Sequence, residues 1–336
     1  MRAFVTGATG FVGGRLAERL RERGDEVVAL VRSPERAERL RGLGCELAEG
    51  DLSSRPGLAA AAAGCDAVFH VAAIYRNGVP ASRRAELFEV NVRGTENVLD
   101  AAVDARAARI VHVSSNVVVG DTRGRVVDET YEPPPGEYVS VYHETKALAH
   151  LAAQERIARG APVVVVQPGG IYGPGDHTDI GPLLERAARG KLVVLPFGSV
   201  GLNWTYVEDA VEGILLAHDR GRVGETYIIG GEIATLREAV ERAFAVAGRR
   251  PRVVPVPTWV VRLATPFGPL LGLGVSDYVS ASDGVTYWGS DAKARRELGY
   301  APRALDEGLR AAFTARPGAP PAGPSRFRPG RGRTRT

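Results

Sequence analysis

The chain is short of sulfur: of 336 residues, two are cysteine (Cys45 and Cys65) and one is methionine. Two cysteines cannot build the disulfide framework of a small secreted domain, so reduced thiols in a cytoplasmic protein are expected. Also missing is an unbroken apolar run of the roughly 20 residues that a membrane helix needs. The apolar segment Val253–Val275 is interrupted by Pro255, Pro257, Pro266, Pro269 and Arg262, which predicts a pocket wall or lid and no membrane span. Met1-Arg2-Ala3-Phe4-Val5 passes straight into a strand-like run, without the charged leader and apolar stretch of a secretory signal, so export is not expected. Acidic residues are absent from Arg316 onward, where six arginines stand (Arg316, Arg326, Arg328, Arg331, Arg333, Arg335). Subtracting those six from the net charge of +4 leaves −2 for the body, so the basic balance belongs to the tail and no nucleic-acid partner is expected. Residues 316–336, rich in Pro, Gly and Arg with little to bury, read as a disordered basic tail.

What is present is an alternation. Short β-branched runs at Ala3–Thr6, Glu26–Val31, Glu46–Ala48, Ala67–Val71, Arg109–Ser114 and Pro162–Gln167 are separated by helical stretches at Val12–Arg23, Pro34–Leu40, Arg83–Ala105 and Val141–Ala158. That rhythm predicts an α/β, Rossmann-type doubly wound parallel sheet over residues 1–168, with ligands at the carboxyl ends of its strands. After Pro168 the pattern loosens. Gly169–Asp179 reads as a loop, Leu183–Ala188 and Val207–His218 as helices, and residues 169–312 as a smaller, mainly substrate-binding part. Strand Glu225–Ile229 and helix Leu236–Ala247 are expected to return to the first domain.

Thr6-Gly7-Ala8-Thr9-Gly10-Phe11-Val12-Gly13 follows the first strand and opens the first helix. Glycines at 7, 10 and 13 let the backbone turn sharply and approach a pyrophosphate, and the helix N-terminus offers that anion free N–H groups. The second strand ends at Arg32-Ser33, where cofactors without a 2′-phosphate meet a carboxylate. A guanidinium there suits a phosphate, which favours NADP(H), with NAD(H) as the alternative. Asp51 and Leu52, after the third strand, are placed to hold an adenine edge by side chain and backbone amide. Val71, Ala72 and Ala73, after the fourth, leave room for diphosphate and ribose, while His70 reads as a packed strand residue.

Tyr142 and Lys146 stand at i and i+4 near the start of a helical stretch and so share one face. A phenol with a pKa near ~10 is a poor base at neutral pH, and a neighbouring ammonium is expected to lower it. Ser115, at the end of the fifth strand, is placed to polarise a substrate oxygen while Tyr142 moves the proton.

Together with the element Asn91-Val92-Arg93-Gly94-Thr95, these residues resemble the extended short-chain dehydrogenase/reductase superfamily over about residues 1–312. The resemblance implies that Ser115, Tyr142 and Lys146 are catalytic and that Tyr142 and Lys146 also touch the cofactor. It implies that Asn91 shapes the site, and that Pro168 and Ile171, in Pro168-Gly169-Gly170-Ile171-Tyr172-Gly173-Pro174, border the nicotinamide. Within the superfamily, His70–Arg76, Gly201–Val207 and Gly230-Gly231-Glu232 are similar to the dihydroflavonol-reductase-like and hopanoid-associated sugar epimerase-like group. Relatives that bind nucleotide sugars usually hold the diphosphate with two arginines. Here Leu202 opens one of the two matching segments and Ser282-Asp283-Gly284-Val285 occupies the other. The acidic pair of the sugar dehydratases is replaced by Asn116-Val117-Val118. The expectation is therefore a ketone or aldehyde reductase acting on a compact, fairly apolar small molecule that is not nucleotide-linked. Tyr75, Tyr172, Phe197 and Trp204 are the candidate pocket aromatics. A sugar epimerase/dehydratase is the second reading and a non-catalytic cofactor-binding sensor the third. The helices at Arg83–Ala105 and Val141–Ala158 are candidate faces of a homodimer.

Overall fold

A computed structural model describes residues 1–76, 78–263, 265 and 275–313. The basic tail and part of the Val253–Val275 segment therefore lie outside the described residues. The strands in chain order are β1 (Arg2–Thr6), β2 (Glu26–Val31), β3 (Glu46–Glu49), β4 (Ala67–His70), β5 (Arg109–Val113), β6 (Val163–Pro168), β7 (Gly170–Tyr172), β8 (Val193–Pro196), β9 (Gly201–Tyr206), β10 (Thr226–Ile229), β11 (Glu232–Thr235) and β12 (Val253–Val256). Seven of them form the central sheet in the order β10-β6-β5-β4-β1-β2-β3, every pair parallel. This is the doubly wound order, and it reverses at β1, so a crevice opens where β1 and β4 end. The apolar runs Val27–Val31 and Val163–Val166 are buried throughout, as strands covered on both faces must be.

Helices cover both faces. α1 (Phe11–Glu22) and α2 (Glu38–Gly42) lie on one face; α3 (Arg55–Ala62), α4 (Arg84–Phe88), α5 (Gly94–Asp104) and α6 (Val141–Ala158) cover the other. The expected single helix Arg83–Ala105 is interrupted by a π turn at Glu89–Arg93, which carries Asn91. Such turns in helices often sit at functional sites.

The remaining helices are α7 (Gly181–Ala188), α8 (Val207–Arg220), α9 (Leu236–Val246), α10 (Thr258–Leu263), α11 (Val275–Ser282), α12 (Ala292–Leu298) and α13 (Leu305–Phe313). Strand β10 does return to the central sheet, beside β6. Helix α9, expected to accompany it, packs against α7 and α13, because its apolar face of Ala239, Val240, Ala243 and Phe244 fits that smaller core. The helix that returns is α8, whose Val211, Ile214 and Leu215 cover the central sheet near β5 and β6. The stretch expected as loop Gly169–Asp179 contains β7, which joins β9 and β11 in a second sheet. Glycine permits this close approach: a Cβ on Gly169 would lie 2.3 Å from the Asn203 carbonyl oxygen. Strands β8 and β12 form a third, two-stranded sheet. No described helix is long and apolar enough to cross a membrane. Cys45 and Cys65 are buried free thiols.

Candidate active site

The turn between β1 and α1 is built backbone against backbone. Gly7 has φ +76, and a Cβ on it would lie 2.7 Å from the Ala72 nitrogen; one on Gly13 would lie 2.2 Å from the Gly7 carbonyl oxygen. Neither position tolerates a side chain. Gly10 caps α1 without a side-chain bond, so the first-turn N–H groups of the helix meet no side-chain acceptor. Thr9, Phe11 and Val12 complete this wall of a cavity of about 760 Å³. The cradle fits a dinucleotide: bare backbone, a helix N-terminus and a long open cavity running along the strand ends.

Thr6 and His70 stand behind the cradle. The Thr95 hydroxyl donates to the Asn91 carbonyl (2.7 Å) while lying 3.0 Å from His70 Nε2, so Nε2 must be the donor of that pair. Nδ1 then accepts from the Thr6 hydroxyl at 2.8 Å, and Thr6 Oγ1 in turn accepts from the Ala72 N–H at 3.3 Å. A neutral His70 thus ties the ends of β1 and β4 to α5. Thr6, expected at the cofactor, anchors the cradle from its buried side and does not line the cavity.

Arg32 and Asp51 line the far end with Leu52 and Ser53. Arg32 is exposed and makes no hydrogen bond or ion pair among the described residues. Asp51 accepts from the Ser53 hydroxyl (2.6 Å) and N–H (2.8 Å); these bonds, with Arg32 nearby, hold its carboxyl below the usual range.

Val71, Ala72 and Ala73 lead along the cavity to its centre, where Ser115, Tyr142 and Lys146 converge with Tyr75, Pro168 and Ile171. Ser140 caps α6 by accepting from the His143 N–H (3.0 Å), and the Val141 N–H donates to Asp277 of α11 (2.7 Å), which fixes the turn that carries Tyr142. Tyr75 meets the Tyr142 ring edge-on at 5.0 Å. Ser115 accepts from the Val117 N–H (3.3 Å) as the cap of the short turn Asn116–Val119, and its hydroxyl lies close enough to Tyr142 to favour the ionised phenol. Lys146, one turn on, donates from Nζ to the Val113 carbonyl (3.1 Å).

The electrostatics depart from the sequence expectation. Burial pushes the Tyr142 phenol up to about 12, and the Ser115 hydrogen bond offsets only part of this. Burial also brings the Lys146 ammonium down to about 8. With Nζ turned to a carbonyl, desolvation outweighs the expected help from Lys146. The buried His70 and His112 and the half-buried His150 stand behind the lysine, and His112 is stacked on His70 at 5.3 Å. Burial and then the Lys146 charge bring His70 to about 3 and His150 to about 4; His112 is pushed down as well, by burial first.

Asn91 does not line the cavity. From the π turn its Oδ1 accepts from the Ile74 N–H (2.7 Å), and its Nδ2 donates to the Ile74 carbonyl (3.0 Å) and Thr145 Oγ1 (3.1 Å). It clamps the chain after β4 to α6. Two substrate-side expectations are corrected outright. Tyr172 and Trp204 are fully buried in the smaller core, their polar tips bonded to the Leu305 carbonyl (3.3 Å) and the Ala234 carbonyl (2.9 Å), because both face α9 and α13 rather than the cavity. Phe197 does reach the cavity wall, joined by Leu183, Val200, Leu202 and Tyr287.

Sequence reasoning missed Asn203 altogether. Its Oδ1 accepts from Asn116 Nδ2 (3.2 Å) and the Gly289 N–H (2.8 Å), and its Nδ2 donates to the carbonyls of Gly289 (2.8 Å) and Gly231 (3.3 Å). Groups from four distant segments meet there, and nothing local in the sequence marks such a hub. Asp179, also missed, lines the substrate end of the cavity, and burial raises its carboxyl.

Comparison with known proteins gives consistent results. The family model described as NAD dependent epimerase/dehydratase family matches residues 3–230. A 4-hydroxy-2-methyl-3-oxo-4-farnesyl-3,4-dihydroquinoline-1-oxide ketoreductase from Stigmatella aurantiaca is 35% identical over 340 residues, covering 97% of this chain and 100% of that protein. A putative dihydroflavonol 4-reductase from Synechocystis sp. is 34% identical and covers 76% of each chain. Among solved structures, a dTDP-glucose 4,6-dehydratase double mutant from Streptomyces venezuelae with NAD bound superposes with a TM-score of 0.74 at 27% identity, covering 93% of this chain and 95% of that one.

Proposed function

The chain belongs to the NAD dependent epimerase/dehydratase family, as an NAD(P)-dependent oxidoreductase of the extended short-chain dehydrogenase/reductase type, and on that premise we propose that it is an NADP(H)-dependent reductase of an apolar ketone or aldehyde. One observation carries the reading. The Ser115–Tyr142 pair opens onto a substrate space whose lining from Pro168 to Tyr287 contains no lysine or arginine among the described residues, and does contain Asp179. Charge-assisted bonds from guanidinium groups are the strong means of holding a diphosphate, and a carboxylate repels one. Leu202, standing where nucleotide-sugar enzymes carry an arginine, lines this space with Phe197, Val200 and Leu183. Such walls hold an apolar substrate and exclude water.

The Gly7–Gly13 backbone holds the diphosphate of the cofactor and Lys146 its nicotinamide ribose. Arg32, exposed and unpaired at the end of β2, takes the 2′-phosphate, which is the basis for preferring NADP(H). The bound nicotinamide supplies or accepts the hydride. Ser115 donates a hydrogen bond to the substrate oxygen, and Tyr142 Oη gives that oxygen its proton, or takes it in the reverse direction. A phenol held near 12 is a ready proton holder before reduction, and the Ser115 hydroxyl favours release. Two relatives named as reductases support reduction; the NAD-bound dehydratase favours sugar epimerisation or dehydration as the second reading.

The test is titration of wild type and Arg32→Ala with NADPH and NADH. Loss of one charge-assisted contact costs about 1.5–3 kcal/mol, so NADPH binding is expected to weaken about 10- to 100-fold in the variant while NADH binding is unchanged. A carbonyl-substrate screen with Tyr142→Phe as the blank follows. Equal or tighter NADH binding by wild type would remove the role given to Arg32 and bring the epimerase reading forward.

A further inference from the structure

Of the twelve large hydrophobic side chains exposed among the described residues, six fall in two short segments: Leu192, Val194, Val254, Trp259, Val260 and Leu263. Val194 and Val254 are register partners across β8 and β12, so both project from the same face of that small sheet. Helix α10 follows β12 directly, and its Trp259 and Leu263, at i and i+4, are each 65% exposed. The Val253–Leu263 part of the apolar segment, expected to wall the pocket, lines no part of it: Val253 packs on the smaller core while Val254, Trp259, Val260 and Leu263 are exposed.

The sequence that carries this face is basic. From Arg242 to Ser276 the sequence holds five arginines and no acidic residue. Lys191, Arg249, Arg250 and Arg252, flanking the two strands, are exposed, and their side chains make no ion pair among the described residues. An apolar face with a protruding indole and leucine, rimmed by unpaired cations, matches the layered chemistry of a bilayer surface: acyl chains below, phosphates above.

The face also abuts the substrate end of the cavity. Strand β8 runs into Pro196 and Phe197, which line it. Thr258 Oγ1 and Arg262 both donate to Asp283 (2.8 and 3.0 Å), next to Ala281 and Ser282 of the cavity wall. We propose that the β8–β12–α10 face docks the protein on an anionic lipid surface, setting the mouth of the substrate space against the bilayer from which an apolar ketone is drawn. The docking stands on the patch alone; the delivery of substrate rests on the reductase reading.

The test uses the full chain with vesicles of phosphatidylcholine, with and without phosphatidylglycerol, carrying brominated acyl chains that quench tryptophan on contact. The expected result is flotation with the anionic vesicles alone, weakened by salt, with fluorescence quenching that disappears in Trp259→Phe. Trp259→Ser with Leu263→Ser is expected to weaken binding at least about tenfold, and Arg249→Glu, Arg250→Glu and Arg252→Glu together to abolish it. Both variants should keep wild-type turnover of a water-soluble ketone, which separates failure of docking from failure of the reductase reading. Anionic binding without quenching that survives Trp259→Ser with Leu263→Ser would assign the effect to the arginine-rich tail and overturn the proposal. So would equal binding to neutral vesicles, or a concentration-dependent dimer that the double serine variant dissolves.

Discussion

Replacing His70 by leucine separates the two effects of burying an imidazole behind the cofactor cradle. At pH 8 the imidazole is neutral whether the chain is folded or not, and the substitution removes two hydrogen bonds and leaves the Thr6 hydroxyl without its acceptor. At about 1 kcal/mol per bond plus the desolvated hydroxyl, His70→Leu should lose about 2–3 kcal/mol there. Acid reverses the sense. The unfolded imidazole takes up a proton below pH 6.5, whereas the buried one resists until about pH 3. Between those values the unfolded chain binds more protons, so wild-type stability falls as pH falls. At about pH 5, some 1.5 units below the unfolded value, this liability is about 2 kcal/mol. Leucine carries no such liability, and His112 and His150 remain in both chains. The gap between wild type and variant, measured by urea unfolding, should therefore shrink from about 2–3 kcal/mol at pH 8 to under about 1 kcal/mol at pH 5. A gap of equal size at both pH values would refute the buried neutral tautomer. Dinucleotide affinity should fall as well, because the Thr6 hydroxyl, which accepts from the Ala72 N–H, would lose the bond that fixes its position beside the Gly7 turn.

Lys146→Met should raise stability at pH 7 while abolishing turnover. Lowering the ammonium from 10.5 to about 8 corresponds to a burial cost of up to about 3.4 kcal/mol, offset by about 1 kcal/mol for the lost bond to the Val113 carbonyl. The unfolded chain binds more protons between those values, so wild type should gain stability as pH rises through them and the variant's advantage, followed as Tm, should close toward pH 10.5. Gly13→Ala places a methyl where the Gly7 carbonyl oxygen already stands; calorimetric titration should show dinucleotide binding lost, with destabilisation of about 1–3 kcal/mol.

The parallel sheet was legible because most of its strands are short apolar runs, several of them valine-rich, that alternate with helical stretches, a signal that is local and strong. The cradle was legible for the same reason: Gly7, Gly10 and Gly13 are close in sequence as well as in space. Tyr142 and Lys146 shared a helix face by spacing alone, yet their protonation energetics were not readable, since burial and the turn of Nζ toward Val113 are tertiary facts. Tyr172 and Trp204 misled because an aromatic beside a functional loop serves a core as readily as a pocket. The placement of α8 and α9 was interchanged because each is amphipathic, and amphipathicity says that a face is buried without saying against what. Asn203 was invisible: its partners are Asn116, Gly231 and Gly289, and no short window contains them.

Strand β10, supplied by residues 226–229, closes an edge that β6 leaves open some sixty residues earlier in the chain. On the ribosome, the Val163–Val166 ladder therefore waits, apolar and unpaired on one side, until the first stretch of the smaller part and α8 have emerged, and such an edge is where nascent chains pair with one another. The smaller part is drawn from two stretches of chain, one before and one after β10, since β9 pairs with β11 and β8 with β12. Transplanting it between relatives means moving both stretches while leaving α8 and β10 with the central sheet.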